Sequence, residues 1–199
     1  MRPSKLTYYA DFVVYPAVIV GLAVVGVTHA AWPGRSAWAA STEWLALTEW
    51  LAVAAAGFVI WTLLEYILHR AVLHRKTYFA PMHGEHHAAP LSFIGTPAWV
   101  SVSVLTAAFL LPVWLWVGFA IADGLTVGVM TGYWWYGLVH HIVHHHRSTP
   151  SPSYFNGLRA WHMRHHYSPK GGNFGVTTPL WDHVFGTAIS HSSKATASS

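Results

Sequence analysis

The sequence lacks cysteine and has few charged residues. Without cysteine, disulfides, thiolate metal sites and cysteine nucleophiles are excluded, so any bound metal must have nitrogen or oxygen ligands. Charged residues make up 9% of the 199 residues, whereas soluble globular proteins have about 25%. Hydrophobic residues make up 53%. This composition is typical of an integral membrane protein, and the length suits a single domain over residues 1–199.

The apolar runs predict an all-α protein with four transmembrane helices, each able to cross a hydrocarbon core of about 30 Å. The first run follows Arg2 and Lys5 and has no clear cleavage site, so we expect an anchor rather than a removable signal peptide. Pro112 is expected to kink or break the third run. The predicted spans are about 12–31, 44–68, 98–117 and 120–139.

The basic residues predict the topology. Ten of the eleven Lys and Arg lie in 1–10, 70–76 and 147–194, and only Arg35, in a loop at 33–43, lies elsewhere. By the positive-inside rule both termini are cytoplasmic. The Lys and Arg residues are distributed as membrane topology requires and do not cluster in a surface patch, so we expect no nucleic-acid partner.

The same topology puts two histidine-rich segments, 69–97 and 140–189, on the cytoplasmic face, where they would form a helical cap. Residues 190–199 are expected to be a disordered tail. We expect an integral protein of the bacterial inner membrane.

Histidine is abundant, with 16 residues. Two H-x-x-H-H runs occur, at 83–87 and 162–166. Positions three and four apart share a helix face, so each run projects three imidazoles into one small volume. Neutral imidazole is the commonest side-chain metal ligand near neutral pH. With two further pairs, ten histidines have ligand spacing: His69, His74, His83, His86, His87, His140, His144, His162, His165 and His166.

Ten imidazoles are too many for one ion, and two ions with four to five nitrogens each would use them all. Imidazole suits Zn, Cu, Fe and Ni, so the spacing does not choose the metal. His69 and His74 are five apart and do not share an α-helical face. We expect either that these two histidines bind different metal ions or that the helix ends between them. Two redox ions beside a lipid phase suggest O₂ chemistry on an acyl chain.

Some residues close in sequence to the ten histidines have two possible interpretations. Glu65 either contacts the site, as a ligand or by a hydrogen bond that fixes the His69 tautomer, or simply reaches the membrane interface. His141 and His145 form a second pair, rotated by about 100° from His140 and His144. With His146 they are either near the site or on the surface. The aromatic run 133–136 either lines an acyl tunnel or packs at the membrane interface.

The order of these motifs resembles the fatty acid hydroxylase superfamily, which is related to sterol desaturases. That family has H-x-x-x-x-H, H-x-x-H-H, H-x-x-x-H and H-x-x-H-H in succession, matched here at 69–74, 83–87, 140–144 and 162–166. Residues 173–175 and 178–187 resemble its closing G-x-x-T and W-D-x-x-F-G-T segment. The likeness covers about 65–187.

The resemblance implies a dimetal site with two iron ions, which zinc can replace in recombinant material, and O₂ as co-substrate. It selects His140 and His144 over the neighbouring pair, gives Asp182 a structural or supporting role, and leaves His183 outside the ligand set. The implied activity is hydroxylation of an acyl or alkyl C–H bond of a lipid. Electrons would come from a separate ferredoxin- or cytochrome b5-type donor with its reductase.

Two alternatives stay open. The same scaffold could catalyse desaturation of a lipid. A protein of a different class, a histidine-rich metal transporter or buffer, would place ionisable residues along a path through the membrane. The gap between His74 and His83 is shorter than in eukaryotic 2-hydroxylases, which leaves the substrate open.

Overall fold

The computed structural model of the protein describes residues 4–30, 43–93, 95–146, 153–169 and 171–189, and these residues form helices and no strand. The all-α prediction is therefore confirmed for the described part. Most of the predicted loop at 33–43 and the whole predicted tail at 190–199 lie outside the described residues.

The first helix, α1, runs from Lys5 to Ala30 and starts seven residues before the apolar run. Its start is set by Ser4, whose hydroxyl accepts a hydrogen bond from the Thr7 N–H at 3.1 Å. Such a cap satisfies a backbone donor that the helix itself leaves unpaired. The hydrophobic pattern alone does not reveal this extension.

Two long helices form the centre of the bundle. Helix α2 spans Glu43–Ile67, and α6 spans Phe119–His145. They pack closely because Gly57 and Gly128 face each other's backbone. A Cβ at Gly128 would lie 1.9 Å from the Ala54 carbonyl oxygen. Small residues permit this kind of close helix contact within membranes.

The third apolar run is continuous, so of the kink or break expected at Pro112 the break does not occur. Helix α4 (Ala98–Leu105) passes through a π-helical turn (Thr106–Leu110) into α5 (Leu111–Val117). In that turn the Leu111 N–H donates to the Thr106 carbonyl, five residues back. The widened turn accommodates proline without ending the helix. Gly118, with φ of 102°, then turns the chain into α6.

Three helices in the described part are long and apolar enough to cross a membrane: Lys5–His29, Leu45–Leu73 and Ala98–Val117. Helix α6 has the length but is less apolar, because glycine, threonine and Asp123 interrupt its hydrophobic residues. This helix is buried by its neighbours, mainly α2 and α1. A helix that other helices shield from lipid needs less hydrophobicity on its surface.

Short helices complete the histidine-rich end of the molecule. They are α3 (Ala80–Ala88), α7 (Tyr154–Tyr167) and α8 (Leu180–Val184). Helix α7 begins at Ser153, whose side chain accepts a hydrogen bond from the Asn156 N–H at 3.1 Å. It packs against α6.

Candidate metal centre

The ten histidines singled out by spacing come together in two groups of five. Within each group the possible ligand atoms all lie within 4.8 Å of one another. The groups adjoin, and the rings of His87 and His166 stack across their boundary with centroids 4.2 Å apart. The first group is His69, His74, His83, His87 and His165, and the second group is His86, His140, His144, His162 and His166.

A π-helical turn brings His69 and His74 into the same group. After Ile67, α2 continues as a π-helical segment, Leu68–Leu73. The His74 N–H donates to the His69 carbonyl at 3.2 Å, five residues back. Residues five apart fall nearly in line in a π-helix, whereas they diverge in an α-helix. The helix thus ends at Leu73, between the two histidines, which is one of the two expected alternatives, and both histidines join the same group.

The two H-x-x-H-H helices are shared between the groups. In α3, His83 and His87 belong to the first group and His86 to the second. In α7 the assignment is reversed, since His162 and His166 belong to the second group and His165 to the first. Each group thus combines one pair from a long helix, one i,i+4 pair from a short helix and one histidine from the other short helix.

The Nε2 atoms of the first group converge. His83 Nε2 lies 3.0 Å from His69 Nε2, 2.9 Å from His74 Nε2 and 3.0 Å from His87 Nε2. A single proton on His83 Nε2 could pair with only one of these three neighbours. In the second group, His162 Nε2 lies 2.9 Å from His144 Nε2 and 3.1 Å from His166 Nε2.

Two rings of the first group have a defined tautomer. His69 Nδ1 lies 2.5 Å from the Phe174 carbonyl oxygen, and His165 Nδ1 lies 2.8 Å from the Gly172 carbonyl oxygen. A carbonyl can only accept, so each Nδ1 carries the proton and each Nε2 presents a lone pair to the group. Backbone anchoring of this kind orients metal-binding imidazoles.

A cation fits this arrangement. Lone pairs facing one another at 2.9–3.1 Å repel unless a positive ion lies among them. Metal–nitrogen distances of about 2.1 Å at right angles place neighbouring nitrogens about 3.0 Å apart. Five neutral nitrogens without thiolate or carboxylate suit a divalent transition metal. Each group therefore has the donor set and spacing for one ion.

Burial keeps these imidazoles neutral. Removal from water, reinforced by neighbouring imidazoles, lowers the pKa of His86 to about 4. The same causes lower the pKa of His144 to about 3. For His165 burial lowers the pKa to about 3, although its bond to Gly172 opposes the shift. At neutral pH these rings retain the lone pairs that a metal requires.

Two carboxylates hold the backbone that anchors the first group. Asp182 accepts hydrogen bonds from the N–H groups of Phe174 and Gly175, each at 2.8 Å. Glu65 accepts from the N–H groups of Val176 and Thr177 at 2.6 and 2.9 Å, and from the Thr177 hydroxyl at 2.7 Å. Glu65 is buried and lies outside both groups, and the Nδ1 hydrogen of His69 goes to the Phe174 carbonyl instead. Glu65 supports the site through the backbone of the closing segment, a role that the sequence did not indicate.

His141, His145 and His183 lie outside the two groups. The His141 ring packs against that of His145, with centroids 4.7 Å apart, and its Nδ1 lies 3.0 Å from the Tyr8 hydroxyl. His145 stacks on Phe93. His183 is exposed beside the Trp161 ring.

A cavity of about 300 Å³ opens beside both groups. Four imidazoles border it, two from the first group (His69 and His83) and two from the second (His86 and His140). Its remaining wall is largely apolar and aromatic and comes from α1, α2, α3 and α6. Of the aromatic run 133–136, Trp135 is not part of this wall and packs against Phe155 instead. The other three residues of the run line the cavity.

Together these features define a class of protein: a helical protein of membrane composition with two adjoining five-histidine groups at one end of its helices. The chain belongs to the fatty acid hydroxylase family, whose family model matches residues 54–187. The resemblance recognised in the histidine motifs is thus confirmed.

Characterised relatives are similar over the same region. The chain is 35% identical over 146 residues to the dihydroceramide fatty acyl 2-hydroxylase FAH2 of Arabidopsis thaliana, covering 68% of this chain and 60% of that protein. It is 36% identical over 148 residues to the fatty acid 2-hydroxylase of Rattus norvegicus, covering 67% of this chain and 38% of that protein. The chain thus corresponds to only part of the length of these relatives.

The fold is similar to a solved structure, full-length Scs7p with only its hydroxylase domain visible. The TM-score is 0.73 and the sequence identity 24%, over 94% of this chain and 70% of that one.

Proposed function

We propose that the protein is a membrane-bound di-iron lipid hydroxylase, which inserts one oxygen atom from O₂ into an acyl or alkyl C–H bond. The observation that carries this proposal is the meeting of two five-histidine groups at one largely apolar cavity between helices of membrane type. Membership of the fatty acid hydroxylase family supports it. The acyl hydroxylases among its relatives support an acyl chain as the substrate.

In this proposal each five-histidine group holds one iron ion. Imidazole also accepts zinc, which would compete in recombinant protein. When bound, the irons supply the redox chemistry, which uses O₂ and two electrons to oxidise the C–H bond. One oxygen atom enters the lipid, and the other leaves as water with two protons.

The chain's own residues supply the geometry. The carbonyls of Phe174 and Gly172 keep the Nε2 lone pairs of His69 and His165 directed into the first group. The apolar cavity wall excludes water and admits a lipid chain from the side of the membrane helices. Because four histidines border that cavity, a bound chain lies beside both metal positions.

The same proposal includes the topology and partners. Helix α6 is the fourth transmembrane helix, both termini are cytoplasmic, and the histidine-rich cap faces the cytoplasm. Residues 1–199 act as one domain in a bacterial inner membrane. A separate ferredoxin- or cytochrome b5-type protein with its reductase delivers electrons. The distribution of Lys and Arg supports this orientation.

A metal transporter is less well supported. Its ligands should be distributed along a path through the bilayer. Here the two groups lie together, where α2 and α6 end and the short helices begin.

The proposal is tested with the purified chain, loaded with two irons and supplied with a reductase system and membrane lipid. O₂ consumption should depend on both the lipid and the iron. The double variant His83→Ala/His86→Ala removes one histidine from each group and should abolish that consumption. A wild-type protein with two irons per chain and no lipid-dependent O₂ consumption would contradict the proposal.

A further inference from the structure

Two carboxylates, Glu65 and Asp11, line the cavity, and they differ in their hydrogen bonds. Glu65 accepts three hydrogen bonds from Val176 and Thr177. Asp11, on α1, has a buried Oδ1 that lacks a hydrogen-bond partner among the described residues. An ionisable residue within a membrane helix is costly to keep unless it has a partner, so it indicates a functional role.

Contacts along α1 fix the depth of Asp11. Three residues before it, the Tyr8 hydroxyl lies 3.0 Å from His141 Nδ1. Four residues after it, the Tyr15 ring lies 4.7 Å from the Tyr133 ring. Asp11 therefore lies between these two levels of α6, and Gly137 and His140 on that part of α6 border the same cavity.

Gly137 leaves room on the α6 side of the cavity. It lines the cavity together with Asp11 and His140, and a Cβ placed on it would meet nothing within 4 Å. Glycine inside a helix is normally less stable than alanine, so packing does not account for its presence here. The cavity that holds the unpaired Asp11 oxygen therefore has open volume beside α6.

The cavity wall also contains unpaired donors. The indole N–H groups of Trp61 and Trp134 are buried and have no hydrogen-bond partner among the described residues. A ligand made only of hydrocarbon at this depth would leave Asp11 unpaired. A ligand bearing an O–H or N–H group would pair with it.

We propose that Asp11 is a substrate-binding residue, which accepts a hydrogen bond from an O–H or N–H group of the lipid inside the cavity. This inference rests on the proposed function, in which the cavity takes the substrate. The polar end of the lipid is then held beside the metal centre, below the membrane surface. That end, rather than the far end of the chain, determines which carbon reaches the metals.

Lipid binding tests the proposal without turnover. The full chain, purified in detergent, is titrated with radiolabelled hexadecanol and with its methyl ether, which lacks the donor hydrogen, in the absence of reductant. The wild type should bind the alcohol at least tenfold more tightly than the ether. Asp11→Leu should bring the ratio close to one, while Asp11→Asn, which keeps an acceptor oxygen, should preserve most of it.

Asp123→Asn is the matched control, because Asp123 is another carboxylate within the helix bundle and accepts a hydrogen bond from the Trp50 indole N–H at 2.9 Å. It should leave the ratio unchanged. Equal binding of the two lipids by the wild type, an unchanged ratio in Asp11→Leu, or binding of neither lipid would overturn the proposal.

A second variant tests the location. Gly137→Leu should fold and bind metal normally, because its Cβ meets nothing within 4 Å and the rest of the side chain extends into the cavity, yet weaken binding of the alcohol at least tenfold. Unchanged binding in this variant would also overturn the proposal. Absence of O₂-dependent product, with the alcohol preference intact, would instead count against the hydroxylase proposal alone.

Discussion

The His69 ring donates its Nδ1 hydrogen to the Phe174 carbonyl oxygen across 105 residues of sequence, at a distance of 2.5 Å. This bond leaves the Nε2 lone pair facing His83 Nε2, 3.0 Å away. The last part of the chain thereby sets the orientation of a histidine at the end of α2. In the second group, Nδ1 of His86, His162 and His166 is buried without a partner among the described residues. The two groups therefore differ in how firmly their rings are oriented.

His83 and His86, which belong to the same motif, should bind different metal ions. His83→Ala should lose the ion of the first group and keep the other, because His83 contributes only to the first group. His86→Ala should do the reverse. Metal content per chain should fall from two to about one in each variant and to about zero in the double variant. The measurement is mass spectrometry of the purified proteins.

His141→Ala is the matched control for this series, since His141 lies outside both groups. It should keep two ions per chain, whereas His140→Ala should lose the second-group ion. Equal metal loss from these two variants would show that the groups are assigned incorrectly.

Asp182→Asn should weaken the first group selectively. The amide cannot accept from both the Phe174 and Gly175 N–H groups as the carboxylate does, so the carbonyl that orients His69 loosens. Loss of such indirect support lowers metal affinity by roughly tenfold or more. Titration with a competing chelator should show this loss in one of two binding steps.

Asp123→Asn, remote from the histidines, should leave both binding steps unchanged. Equal weakening of both steps by Asp182→Asn would contradict the selective role of the closing segment.

Acid should destabilise the metal-free protein. The folded-state pKa values of His86, His144 and His165 are about 4, 3 and 3, whereas unfolded histidine titrates near 6.5. Below pH 6.5 the unfolded chain takes up protons that the folded chain does not, so stability falls as the pH drops towards 4. The apparent melting temperature in detergent should drop by at least about 10 °C between pH 7 and pH 5.

Metal-loaded protein should lose less stability over the upper part of this pH range, because bound metal opposes protonation of its ligands. A metal-free protein with the same melting temperature at pH 7 and pH 5 would contradict the neutral, buried state of these rings.

The absence of cysteine makes the topology directly testable. Arg35→Cys should react with a membrane-impermeant maleimide from outside the cell, since Arg35 is the one basic residue predicted to lie there. Arg75→Cys, beside the first group, should react only after the membrane is opened. Labelling of Arg35→Cys only from the cytoplasmic side would reverse the proposed orientation.

Spacing, which is local and needs only short motifs, singled out the histidine-rich runs, and the family resemblance was needed to choose His140 and His144 over His141 and His145. Spacing could not divide the ten histidines between two groups, because His86 and His165 each join the group opposite to the other two histidines of their own motif. The position of His74 depends on a π-helical turn, for which the five-residue spacing was the available signal. The role of Glu65 was hidden because its partners lie more than 100 residues away.

The boundaries of the helices followed hydrophobicity except where capping or burial intervened. Ser4 extends α1 beyond its apolar run. Helix α6 was predicted as a span over 120–139, but the sequence did not indicate its close approach to α2 at Gly128. Such contacts between distant helices leave no periodic signal in the sequence.

Turnover under ¹⁸O₂ is the most direct test of the central claim. The iron-loaded protein is incubated with its reductase system and a membrane lipid extract, and the products are analysed by mass spectrometry. The account predicts a hydroxylated lipid that carries one ¹⁸O atom per molecule and is absent from His83→Ala/His86→Ala. An unlabelled alkene would assign the protein to desaturation. The absence of any O₂-dependent product from protein that holds both irons would contradict the claim that it is an enzyme of this kind.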